Sequence, residues 1–152
     1  MGKFIYSNNK LVSEKDFTVS YKSRAYRYGD GVFETIKVRK GVPLFLKHHY
    51  SRLILGLDTL QFEIPEHWTY SFFVHTILDL AKQNEIENGN LRIQVSRLGE
   101  GKYLPTSNGC DLMMEIHPIA GAAYQLYEQA FTLGMYTPVS YTHLTLPTIC
   151  SV

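Results

Sequence analysis

The chain is poor in the features that mark several protein classes. It has two cysteines, Cys110 and Cys150, in 152 residues. They form neither a disulfide framework nor a metal-ligand spacing, and such usage suits a reducing cytosol. Its six histidines, His48, His49, His67, His75, His117 and His143, make no zinc-like cluster. No run of about 18 apolar residues occurs, so no membrane span is expected. The start, Met1-Gly2-Lys3-Phe4-Ile5-Tyr6, has no apolar leader segment. Charge of neither sign prevails: the net charge is +1, with no basic run and no interleaving of basic and aromatic residues. That argues against nucleic acid or a membrane surface as partner. The phosphate-binding loop, the dinucleotide fingerprint and the nucleophile elbow are also missing. The expected location is cytoplasmic.

What remains is globular in composition, 45% hydrophobic and 19% charged, and its length suits one domain with a real core. Phe4 to Tyr6 reads as a strand, Asn8-Asn9 as a turn, and Lys10 to Val12 as the returning strand. Gly29 and Gly31 flank Asp30 and mark a sharp turn before a β-branched and aromatic strand, Val32 to Val38. Lys40-Gly41 turns it, and Pro43 to Leu46 runs back. Tyr50, Leu53, Ile54, Leu57 and Leu60 make a helical stripe. Pro65 suits the first turn of a second helix, from about Trp68 to Gln83, whose apolar face holds Phe73, Ile77, Leu80 and Ala81. Asn88-Gly89 is expected to end that helix. Leu91, Ile93 and Val95 alternate with Arg92, Gln94 and Ser96, the pattern of a half-buried strand. A loop from Gly99 to Asn108 precedes strands at Leu112 to Ile116 and Phe131 to Tyr136. The expected class is α+β, an antiparallel or mixed sheet with two helices packed on one face.

From Gln129 onward no Asp, Glu, Lys or Arg occurs. Residues 139–152, VSYTHLTLPTICSV, are rich in Thr and Ser and lack clear periodicity. They read either as a buried or edge segment or as a tail foreign to the protein, resembling translated adapter read-through. We expect a domain over residues 1–137 and a non-native or disordered tail over 138–152.

Two motifs carry a resemblance. They are Arg24-Ala25-Tyr26-Arg27-Tyr28-Gly29-Asp30-Gly31-Val32-Phe33-Glu34-Thr35-Ile36 and His49-Tyr50-Ser51-Arg52-Leu53. Together they resemble the N-terminal domain of the class IV pyridoxal-phosphate enzymes: branched-chain and D-amino-acid aminotransferases and aminodeoxychorismate lyase. The resemblance covers roughly residues 1 to 137. It implies pyridoxal 5′-phosphate as cofactor and a small amino acid and 2-oxo acid, or aminodeoxychorismate, as substrate. It also implies a homodimer with the cofactor between two domains.

Residue roles follow from the same resemblance. Arg52, the arginine of the H-x-x-R-L pattern, is implied to bind the cofactor phosphate; from the helix alone it reads as a surface arginine. Phe33 is implied to lie against the substrate, with Val32 and Glu34 pointing the other way, though it also reads as a plain core residue. Arg92 and Arg97 are candidate substrate-carboxylate binders, since the guanidinium fork matches a carboxylate. Gly101-Lys102-Tyr103 stands where lyase-like members carry a Gly-Arg-Gly-Tyr loop, so Lys102 and Tyr103 are further substrate-binding candidates. Here lysine replaces arginine and a glycine is absent. Asp30 reads as a turn-shaping residue.

The chemistry also needs a lysine amine to hold the cofactor aldehyde and an acid at the pyridine nitrogen. The resemblance implies both beyond about Thr137. No lysine follows Lys102, and no acid follows Glu128. The chain therefore reads as the first part of such an enzyme, inactive alone. The alternative is a non-catalytic small-molecule-binding or interaction module on the same fold.

Overall fold

The computed structural model describes residues 3–120 together with Thr132 and Gly134. Apart from Thr132 and Gly134, the expected strand at Phe131 to Tyr136 lies outside the described residues, as does the tail from 138. Six strands form one sheet: β1 (Phe4–Ser7), β2 (Lys10–Ser13), β3 (Gly31–Arg39), β4 (Val42–Pro43), β5 (Gly89–Arg97) and β6 (Cys110–Pro118). Their order across the sheet is β2-β1-β6-β5-β3-β4, and every paired neighbour is antiparallel. Among the described residues there are also three helices: α1 (Arg24–Tyr28), α2 (Leu46–Thr59) and α3 (Tyr70–Gln83). Among the described residues no helix is long and apolar enough to cross a membrane.

The alternation read from the sequence sets the two faces of the sheet. Val32, Glu34, Ile36 and Val38 on β3 pair with Val95, Ile93, Leu91 and Gly89 on β5. Leu112, Met114 and Ile116 on β6 continue the same face. This face is buried beneath α2 and α3, which contribute Leu53, Leu57, Phe73, Ile77 and Leu80, each at most 2% exposed. Each such side chain contributes roughly 1.5–3 kcal/mol relative to exposure. The opposite face carries Phe33, Thr35, Arg92, Gln94, Met113 and Glu115, and α1 stands at its edge, with Ala25 lining one cleft with Phe33 and Arg92.

The helices differ from expectation at their ends. α3 begins at Tyr70 rather than Trp68, because the Thr69 hydroxyl caps it, accepting from the Phe72 N–H at 3.2 Å. Pro65 instead heads a separate turn, its carbonyl accepting from Trp68 N–H at 2.9 Å. At the other end the helix stops at Gln83, as expected, but Asn88-Gly89 lies further along and is not what ends it. Asn84 ends it by turning its side chain onto β1: Oδ1 accepts from the Lys3 and Phe4 N–H groups, and Nδ2 donates to the Phe4 and Leu80 carbonyls. Gly89 opens β5 instead; a Cβ there would meet the His117 carbonyl oxygen at 2.6 Å. The segment read as a strand from Pro43 to Leu46 pairs only over Val42–Pro43 before α2 begins.

Candidate functional site

Three clusters of side chains lie around the two motifs. The first is built on Asp30, at the turn between α1 and β3. Gly29 caps α1 in the left-handed region at φ 62°, and Gly31 lies so close to β5 that a Cβ would stand 2.5 Å from the Val95 carbonyl oxygen. The Asp30 carboxylate accepts from Arg24 Nε at 2.6 Å and from Arg97 Nε at 3.3 Å. Arg24 Nη1 reaches on to the carbonyls of Lys102 at 3.1 Å and Gly101 at 3.3 Å. The remaining donors of Arg97 are met by Asn108 Oδ1 at 2.9 Å and the carbonyls of Leu60 at 2.7 Å and Gln61 at 3.4 Å. Its guanidinium stacks 4.0 Å from the centre of the Phe62 ring. Asp30 thus does more than shape a turn: it joins two buried arginines.

The second cluster is on the helical side of β3. Glu34 is 4% exposed at a position that the strand's parity assigns to the core. One carboxylate oxygen accepts from Arg52 Nε at 2.6 Å. The other accepts from Arg52 Nη2 and from His49 Nδ1, the latter at 2.7 Å. Arg52 and His49 are three residues apart on α2 and so share a face. The Arg52 side chain is itself 70% exposed, and among the described residues its Nη1 has no protein acceptor.

Burial pushes the Glu34 pKa up, but the hydrogen bonds and charges of Arg52 and His49 outweigh it and hold the carboxyl below its ordinary 4.5. A depressed native pKa stabilises the fold above the unfolded value and loses that contribution as pH falls through the native one. Acid titration of chemical unfolding should therefore show the advantage of wild type over Glu34→Gln narrowing below about pH 4.5. An unchanged gap would remove Glu34 from this linkage.

The third cluster lies on the open face of the sheet. The Arg92 guanidinium sits 4.1 Å from the centre of the Phe33 ring, and its Nε donates to Gln94 Oε1 at 3.3 Å. Phe33 is 58% exposed. These side chains, with Ala25, Gly29, Gly31 and Ser96, line a cleft of about 250 Å³.

The structure brings Phe33 and Arg92 together. It places Arg52 across β3 from them, behind Glu34, and Arg97 in the interior rather than on the cleft. Lys102 and Tyr103 are exposed on the loop between β5 and β6, which Arg24 grips by its backbone. Glu34 carried a signal in the sequence, an acid at a core position of a strand, which requires a partner. Arg24 carried none, since its partners are remote carbonyls. The buried Cys110 thiol is pushed up to about 11 by burial, which makes it inert as a nucleophile at neutral pH. Among the described residues no group of three His, Cys, Asp or Glu is placed to hold a metal ion.

An antiparallel sheet with α2 and α3 on one face and a cleft of arginine and aromatic groups on the other makes an α+β domain. The chain belongs to the class IV amino-transferase family, whose pattern matches residues 31–147. It is 37% identical over 93 residues to a putative branched-chain-amino-acid aminotransferase of Methanocaldococcus jannaschii, covering 61% of this chain and 32% of that one. It is 36% identical over 96 residues to the aminodeoxychorismate lyase of Bacillus subtilis, covering 60% and 31%. In fold it is similar to the branched-chain amino acid aminotransferase of Escherichia coli. The TM-score is 0.69 at 22% identity, covering 78% of this chain and 42% of that one. The chain spans about a third of the length of the curated relatives it matches.

Proposed function

We propose that this chain supplies the N-terminal part of a pyridoxal-phosphate-dependent class IV enzyme acting on amino acids, either an amino-group transferase to a 2-oxo acid or an aminodeoxychorismate lyase. The observation that carries the reading is Arg52, a surface guanidinium with one edge held by a buried acid and the other turned to solvent. That donor set fits the phosphate of the cofactor. When bound, pyridoxal phosphate supplies an electron sink for the charge left by loss of an amino acid's α-proton.

The chain's own residues do the rest of the work available to them. Arg52 holds the phosphate. Arg92 takes a substrate carboxylate in its fork, and the Phe33 ring packs beneath it, fixing the plane of the guanidinium and excluding water from one side. Lys102 and Tyr103 close over the substrate from the loop, which Arg24 ties down. Arg97 serves substrate binding only through Asp30, by fixing the end of β5 on which the cleft is built. Among the described residues no lysine lines the cleft. In this reading the amine that abstracts the proton and the acid at the ring nitrogen come from a further part of the protein, and the chain alone does not turn over.

Residues 1–137 form the domain in this proposal, working as a homodimer in the cytoplasm. The boundary rests on composition, since the family match runs on to residue 147. Arg52→Ala is expected to weaken binding of pyridoxal 5′-phosphate by about 10- to 100-fold, as for the loss of charge-assisted bonds to one phosphate. Equilibrium dialysis of the two proteins measures it, and equal affinities would take the phosphate away from Arg52.

A further inference from the structure

We propose that Glu34, braced by His49, is the positioning residue that aims Arg52 at the cofactor phosphate, an inference that rests on the reading of Arg52 given above. Glu34 stands on β3 between Val32 and Ile36, on the face that packs against α2 and α3. An aliphatic side chain would fill that place. Taking a carboxylate out of water to pair it commonly does no better for stability than a well-packed apolar group of the same size. Stability therefore does not account for a carboxylate here, and its geometry supplies another reason.

Both Glu34 oxygens lie along one edge of the Arg52 guanidinium, meeting Nε and Nη2. Two parallel bonds fix the plane of the fork as well as its place. A carboxylate only accepts, so the bond from His49 must be donated by Nδ1–H. That third bond stops the carboxylate from rotating. Arg52 is left with Nη1 and the outer side of Nη2 facing solvent, held in one orientation despite 70% exposure of its side chain. An arginine so exposed would otherwise sample many rotamers and lose that freedom when an anion binds.

Charge and orientation make opposite demands here. Glu34 neutralises Arg52, so by charge alone its removal favours an anion. By orientation its removal weakens the anion. We expect orientation to win, because the phosphate needs directed donors rather than a diffuse positive field.

The test uses the 152-residue chain with pyridoxamine 5′-phosphate and unphosphorylated pyridoxamine, ligands without an aldehyde that could react with surface lysines. Affinities come from calorimetry or from phosphorus NMR for the ester, and the ratio between the two ligands reports the phosphate contact alone. Arg52→Ala is expected to abolish the preference for the ester. Glu34→Gln is expected to lower that preference by about fivefold, the cost of ordering one long side chain, and to have no further effect in the Arg52→Ala background. A preference lost in Arg52→Ala but kept or raised in Glu34→Gln overturns the positioning role and leaves the reading of Arg52 standing. A preference untouched by Arg52→Ala overturns that reading and this inference with it. A purely structural Glu34 would change both ligands alike and leave the ratio unmoved, which also counts against the proposal. Should Glu34→Gln fail to fold, Glu34→Asp keeps the charge and shortens the reach, and the same fall in the ratio is expected. In the unsubstituted chain, nitrogen-15 NMR should show Arg52 Nε–H protected from exchange; a freely exchanging, freely rotating guanidinium contradicts the proposal.

Discussion

Asp30→Ala is expected to cost about 3–5 kcal/mol of folding stability, the range for breaking a buried ion pair by removing one partner. Two arginines depend on this carboxylate. Arg24 and Arg97 are 7% and 8% exposed, and Asp30 accepts the Nε of each. Without it, two guanidinium groups stay buried with no countercharge beside them. The backbone carbonyls of Gly101, Lys102, Leu60 and Gln61 and the Asn108 amide accept from other N–H groups of the two arginines, but they neutralise no charge. Urea unfolding measures the loss, and a change below about 1 kcal/mol would class this cluster with surface ion pairs. Asp30→Asn is expected to fall between, since the amide keeps one acceptor. The functional consequence lies in the loop. Arg24 joins Asp30 to the backbone at Lys102, so hydrogen exchange across residues 99–108 should rise in Asp30→Ala more than exchange in α3.

Phe73→Ala is expected to cost a similar amount, about 3–5 kcal/mol, by cavity formation. Phe73 is wholly buried at the centre of an aromatic cluster. The rings of Tyr50, Trp68 and Phe72 stand 5.5, 5.9 and 5.3 Å from its own, tilted or edge-on. Such pairs add about 0.5–1.5 kcal/mol beyond area burial. The cluster seats α3 against α2, and α2 carries both His49 and Arg52. The loss should therefore be global, read as a lower urea midpoint with an unchanged slope. A loss under about 1.5 kcal/mol would mean that the neighbouring rings collapse into the space. Phe73→Leu separates ring packing from volume and should recover most of the stability.

The parts of the fold that were legible in the sequence are those set by periodicity. The β5 alternation puts Leu91, Ile93 and Val95 in the core as read, though Ser96 on the other face is buried too, and the apolar face of α3 is Phe73, Ile77, Leu80 and Ala81 as the spacing requires. The Asn8-Asn9 turn is also local: both residues take positive φ, 44° and 68°, as a tight hairpin needs. What was not legible depends on distant partners. α1 has five residues and no repeat to detect. Asn84 ends α3 through bonds to residues 80 and 81 positions away, so the end at Gln83 was legible but its cause, read as Asn88-Gly89, was not.

The candidate site divides in the same way. Phe33 and Arg52 were singled out from motifs and Arg92 from the polar side of its strand, but neither signal says which side chains meet in space. Phe33 and Arg92 meet because β3 and β5 pair Phe33 with Gln94 and Thr35 with Arg92. Arg97 resembles an exposed strand-end cation in one dimension and is buried in three, because Leu60, Gln61 and Phe62 close over it.

Arg52 and the Phe33–Arg92 cleft lie on opposite faces of β3, and in the proposed function they serve one ligand site. The most direct measurement is amide and arginine side-chain NMR of the 152-residue chain titrated with pyridoxamine 5′-phosphate. Shifts are predicted at Arg52 Nε–H and along β3 from Val32 to Thr35, with the Arg52 shift lost when pyridoxamine replaces the ester. Shifts confined to the cavity beside Arg24 and Arg97, with Arg52 and β3 unmoved, would contradict it.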